Sequence, residues 1–175
     1  MMVFTTLAPW RRQQLSERGM RQAILDHVAD KVCWRIGKYL GSMLYMDFGG
    51  EVQITNVRKG LIRQGEAMLG IRDCFWSLSS EAQVIVDSES ISDENASEKL
   101  SCIEGAYLRD FAVHESVAVD FIFSSNVVLS LNTTNRYATD DDIAEFVAPD
   151  GRIYIIRPDG ILFLSDEVSK IRFVR

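Results

Sequence analysis

The chain has little of what builds staples, metal centres or membrane anchors. Its 175 residues include three cysteines and two histidines. Cys33, Cys74 and Cys102 are odd in number, far apart and without a Cys-x-x-Cys pair, which argues for free thiols in a reducing compartment and against a disulfide framework. His27 and His114 stand in unrelated contexts, so no spacing points to zinc, and neither a metal nor another cofactor is expected. No apolar run approaches the roughly 18 residues that span a bilayer. The opening MMVFTTLAPWRR places its charges after the apolar stretch and offers no small-residue cleavage site, so a signal peptide is not expected and the cytoplasm is the expected location.

Catalytic settings are equally scarce. There is no Gly-x-Ser-x-Gly elbow, and Gly49-Gly50-Glu51 and Ala148-Pro149-Asp150-Gly151 read as turns, not phosphate-cradling loops. His114 has Glu115 beside it but no nucleophile or orienting group in sequence reach, and reads as a solvent-facing hairpin end. Asp140, Asp141 and Asp142 are adjacent and lack the interleaved glycine of a calcium loop. No catalytic residue is assigned, and the expectation is a protein that binds without catalysing.

What is present is apolar content of 47%, enough for one core or two small ones packed together, and a net charge of -6 that is unevenly spread. Residues 1–40 hold seven Lys/Arg against three Asp/Glu, whereas the remainder holds twelve against twenty-two. An acidic body of this kind repels nucleic acid and anionic membrane and attracts basic proteins. It also serves solubility alone.

Periodicity divides the chain. LSERGMRQAILDHVADK places Met20, Ile24 and Val28 on one face, with Ser16 as N-cap and Glu17 in the first turn, which predicts a helix over 16–31 laid on the body. From Val32 the period falls to two, predicting strands near 33–40, 43–48, 51–57, 67–78 with a bulge at Gly70, and 82–87. SDENASEKLSCIEG predicts a short helix capped by Ser92 or Asp93, with Ala96, Leu100 and Ile103 on one face and Gly105 ending it. The two Pro-Asp-Gly turns after Ala148 and Arg157 separate IAEFV, RIYIIR and ILFLS into a three-stranded antiparallel meander.

One tetrapeptide pattern recurs. Gly37-Lys38-Tyr39-Leu40 precedes Met46-Asp47-Phe48, then Trp76 and the strand at Val84; Gly105-Ala106-Tyr107-Leu108 precedes Val119-Asp120-Phe121, then Phe146 and the strand at Ile153. The kept order suggests a duplication. The expected fold is mainly β (α+β): two similar antiparallel β units packed together, with an N-terminal helix and one short central helix. The expected divisions are a helical segment over 1–35, a first unit over 36–90 and a second over 91–175, together one compact domain.

GSMLYMDFG, GEAMLGIRDCFWSL with the strand after it, and the strand meander around the two Pro-Asp-Gly turns resemble, in that order, the blocks of a family of small uncharacterised, immunity-protein-like bacterial proteins. The resemblance spans roughly residues 36–165 and implies a bacterial source and a duplicated β fold, with no catalytic residues to carry over.

Three functions fit these features. The first is an immunity-type inhibitor, monomer or homodimer, that occludes a basic toxin. Its candidate binding residues are Asp93 and Glu94 in DSESISDENASE, and Tyr137, Asp140, Asp141, Asp142 and Glu145 in and beside TDDDIAE. The second is a small-molecule binder or enzyme with a cavity between the two units, lined by Tyr39, Tyr107, Trp76 or His114. The third is an assembly subunit that adds strands or its helix to identical copies.

Overall fold

A computed structural model describes residues 12–38, 41, 43–56, 60–72, 74–90, 95–114, 118–132, 142–157 and 162–165. The elements are β1 (Arg12–Leu15), α1 (Glu17–Val28), β2 (Cys33–Lys38), β3 (Leu44–Asn56), β4 (Gly60–Ile71), β5 (Phe75–Ser80), β6 (Gln83–Asp87), α2 (Ala96–Leu100) running into a 3-10 turn (Ser101–Ile103), β7 (Leu108–His114), β8 (Ala118–Phe123), β9 (Val127–Asn132), β10 (Ala144–Val147), β11 (Ile153–Ile156) and β12 (Leu162–Ser165). The fold is mostly β, in two antiparallel sheets. One has seven strands in the order β1-β12-β11-β10-β4-β3-β2, and the other five in the order β6-β5-β9-β8-β7.

Alternation decides which face of each strand is inward. Met46, Phe48, Leu69, Phe146 and Tyr154 from the larger sheet join Trp76, Leu78, Phe111, Phe121 and Leu129 from the smaller in one apolar core, all essentially inaccessible to solvent. α1 adds Met20, Ile24 and Val28, each fully buried, as the 3.6-residue spacing predicts. Ser16 caps this helix by accepting from the Gly19 amide at 3.1 Å. At its last turn His27 lies against Phe146 and Tyr154 of the larger sheet. In α2, Ala96 and Leu100 are buried together with Ile103 as expected, but the cap position is Asn95, and Ser92 and Asp93 fall outside the described residues.

The C-terminal meander matches its sequence prediction, with β10, β11 and β12 paired in order. The middle of the chain differs from its reading. The two strands expected over 43–48 and 51–57 fall on one long strand, Leu44–Asn56, with a bulge between Phe48 and Glu51, and its partner β4 begins at Gly60, where sequence reading left a loop. Gly70 is in register on both sides rather than bulged. The run 67–78 is two strands in different sheets, broken after Ile71.

The two halves interleave. β4 of the first half pairs with β10 of the second, and β5 pairs with β9. Reading β2, β3, β4, β5 and β6 as β7, β8, β9, β10 and β11 turns the order β11-β10-β4-β3-β2 into β6-β5-β9-β8-β7. The registers also agree: Cys33↔Phe48, a bulge, then Arg35↔Asp47 and Ile36↔Met46 match Leu108↔Phe123, a bulge, then Asp110↔Ile122 and Phe111↔Phe121. This register does not align the recurring motifs. Trp76 and Phe146 are both buried, yet Phe146 matches Leu78, and the Asp-Phe pairs are two positions out of step. A two-residue shift keeps every side chain on the same face, so alternation alone could not reveal it. The two glycines also differ in purpose. Gly105 turns the chain before β7 at φ +84°, whereas Gly37 lies inside β2, where a Cβ would come within 2.5 Å of the Tyr45 hydroxyl.

Candidate partner-binding face

The two outer faces, turned away from the core, have different surroundings. Across the larger sheet one outer row reads Arg35, Asp47, Met68, Val147, Ile153 and Ser165. Asp47, Met68, Val147 and Ser165 are buried, as is Ile155 in the next row. Asp47 is 1% exposed: its Oδ2 accepts from Arg35 at 2.6 and 2.7 Å, and its Oδ1 accepts the Gly65 amide at 2.9 Å. The Arg35 guanidinium lies 4.8 Å from the Trp34 ring centre and 5.4 Å from that of Tyr45.

On the smaller sheet the matching rows are half-buried or exposed. One reads Asp110, Ile122, Val128, Ser79 and Val84, and the next Ala112, Asp120, Ser130, Ser77 and Asp87, with Phe75 and His114 at the end of the face. Val84, 61% exposed, is the most accessible large apolar side chain of the described residues. Small residues between the strands' larger ones leave Ile122, Val128 and Val84 as a shallow apolar stripe, with Asp110 at its β7 end and Asp120 and Asp87 in the neighbouring row. Large outward side chains are few because alternation reserves the other face for the core.

The flanking charges are held in place. Asp110 takes a two-pronged contact from Arg21 of α1 at 2.5 and 2.9 Å, and this hydrogen bond holds its carboxyl below the usual aspartate range. Asp87 is also lowered, first by the Ser90 backbone amide, which donates to it at 2.8 Å. His114 lies 2.9 Å from Asp120. The Glu17 carboxylate accepts the Val113 amide, so α1 covers the β7 edge of this sheet.

The sequence-chosen acidic residues are distributed otherwise. Glu145 sits on the larger sheet and is bound by Arg72 at 2.7 Å, and Asp142 is half-buried close by in the chain. Asp93, Glu94, Tyr137, Asp140 and Asp141 lie outside the described residues. Among the described residues, no group of three or more His, Cys, Asp or Glu could hold a metal ion. Trp76, Tyr107 and His114 do not line a common cavity: Trp76 is buried between the sheets, His114 is on the opposite face of the same sheet, and Tyr107 is exposed ahead of β7; Tyr39 lies outside the described residues. The Ile122–Val128–Val84 stripe escaped sequence reading, although the alternation in FWSLSS, AVDFIF and VVLSLN carries it. No family model, no curated protein and no solved structure matches the chain.

Proposed function

We propose that the chain is a non-catalytic binding protein of immunity type, which occludes a basic bacterial toxin with the outer face of its five-stranded sheet. The contrast between the two outer faces carries this reading. At matched positions the larger sheet has Asp47 buried beneath a half-buried Arg35, with buried Met68 and Val147, and the smaller has an accessible apolar stripe bordered by Asp87, Asp110 and Asp120. Apolar anchors of this kind set the lifetime of a complex, and carboxylates around them raise the rate at which a basic partner arrives. The matched bulges and registers support an internal duplication, one copy serving stability and the other recognition. The reading agrees with the resemblance to immunity-type proteins and places the pair in the cytoplasm.

The test is recovery of partners from the source bacterium with three tagged chains: wild type, Ile122→Arg with Val128→Arg, and Glu98→Arg on α2 as a charge-matched control. One basic protein retained by wild type and control and lost from the face variant supports the proposal. Equal retention by all three rules this face out as the interface.

A further inference from the structure

We infer that the outer edge of β6 is a strand-addition site for an extended segment of the partner, with a basic residue followed by two apolar ones. This rests on the face reading above and names how part of the partner is held. In the matched registers β6 corresponds to β11: Ser77↔Asp87, Leu78↔Val86 and Ser79↔Val84 match Glu145↔Ile155, Phe146↔Tyr154 and Val147↔Ile153. β11 is hydrogen-bonded on both sides, to β10 and to β12, and β1 continues the sheet beyond. β6 ends its sheet, and among the described residues no strand occupies the place that β12 takes beside β11. A terminal strand leaves backbone N–H and C=O groups open to pairing, here before Asp87, whose own amide and carbonyl bond the Ser90 hydroxyl at 3.1 and 3.4 Å.

The helices do not take that place. α1 packs on β7 and reaches Tyr154 of β11 through His27, yet β12 still pairs with β11. α2 packs against β2 and β6 and brings Lys99 near enough to Asp87 to add to the Ser90 amide's lowering of its pKa, but among the described residues no backbone hydrogen bond joins α2 to β6. Of the usual guards the edge has a bulge and a short length, but Gln83-Val84-Ile85-Val86-Asp87 contains no lysine and no proline. Its bulge at Ile85 falls between the pairing positions of Val84 and Val86, as the jump in register shows.

The equivalence also fixes the occupant's chemistry. In β12, Phe163, Leu164 and Ser165 stand opposite Ile155, Tyr154 and Ile153, whose counterparts are Asp87, Val86 and Val84. An antiparallel segment entering beside β6 therefore meets, in order, a carboxylate, an inward valine and an exposed valine. Lysine or arginine suits the first, and apolar residues suit the other two.

The probe is the acetylated and amidated peptide Thr-Lys-Val-Val-Thr, titrated into the isotope-labelled full chain with amide exchange followed by NMR. The expected result is slowed exchange at the edge-facing amides of Val84–Val86, lost when the peptide's pairing-edge amides are N-methylated. Replacing its lysine by glutamate, or Asp87→Asn in the protein, should weaken binding about two- to fivefold. The Ile122→Arg, Val128→Arg chain should still pair with the peptide, which separates this inference from the face reading. Peptide shifts confined to Ile122 and Val128 with unchanged β6 exchange overturn strand addition and leave the face standing. Shifts only at β1, no binding, or β6 protection that grows with protein concentration alone also overturn it, the last by giving the edge to a second copy.

Discussion

Asp47 and Ile122 hold the same register position in the two sheets, each opposite the residue that follows a bulge, yet Asp47 is buried against Arg35 and Ile122 faces outward beside Val128. One register position thus serves as an internal tie in the larger sheet and as part of an open surface in the smaller. Asp47→Ala strands the Gly65 amide and removes the carboxylate partner of Arg35, which keeps its hydrogen bond to the Arg63 carbonyl, and should cost about 1–3 kcal/mol. Asp120→Ala breaks a more exposed pair with His114 and should cost at most about 1 kcal/mol. Urea midpoints of the two variants measure the difference; equal losses would remove the distinction between the faces.

Ile24→Ala tests whether α1 belongs to the core. Full burial of Ile24 predicts a loss of about 2–5 kcal/mol. An unchanged unfolding midpoint would mean that the helix is an appendage.

The β5–β6 hairpin stores backbone strain. Its two central residues, Glu81 and Ala82, both have positive φ, +50° and +64°, where a side chain crowds the following carbonyl. Glu81→Asn with Ala82→Gly should stabilise the protein by about 1–2 kcal/mol. Thermal or urea unfolding reads this directly, and a loss of stability would show that the side chains matter more than the turn.

Acid should weaken the tie between α1 and β7. Asp110 has its folded-state pKa lowered, first by the Arg21 hydrogen bond, so its contribution is present above the ordinary aspartate range, about 3.9, and is lost as pH falls through the lowered value. Stability measured from about pH 5 downward should fall with a slope that Asp110→Asn flattens. An identical slope in the variant would assign the acid sensitivity to other groups.

Much of the architecture was legible in the sequence, because its signals are local. Ser16 and the Met20, Ile24, Val28 spacing mark α1, and the Pro-Asp-Gly turns mark the last three strands. The long β3–β4 ribbon was obscured by Gly49, Gly50, Gly65 and Gly70, which read as breaks though strands run through them. The β4–β10 and β5–β9 pairings join distant segments and leave no local trace, so the interleaving was hidden. The candidate site was hidden for another reason. Clustered carboxylates drew attention to 87–98 and 139–145, while Ile122, Val128 and Val84 come together only once the strands are in register.

Charge and anchor should separate in kinetics with the recovered partner. Asp120→Asn with Asp87→Asn should slow association and reduce its dependence on salt, and Val128→Ala should mainly speed dissociation. If the carboxylate variants change only dissociation, the acidic flank does not steer the partner.

The most direct test of the central claim is the affinity of that basic partner for three chains of equal urea midpoint: wild type, Ile122→Arg with Val128→Arg, and Glu98→Arg. A face that carries the anchors predicts a loss of at least about thirtyfold for the double variant and little change for the control. Equal affinity for all three chains would contradict recognition by the open face of the five-stranded sheet.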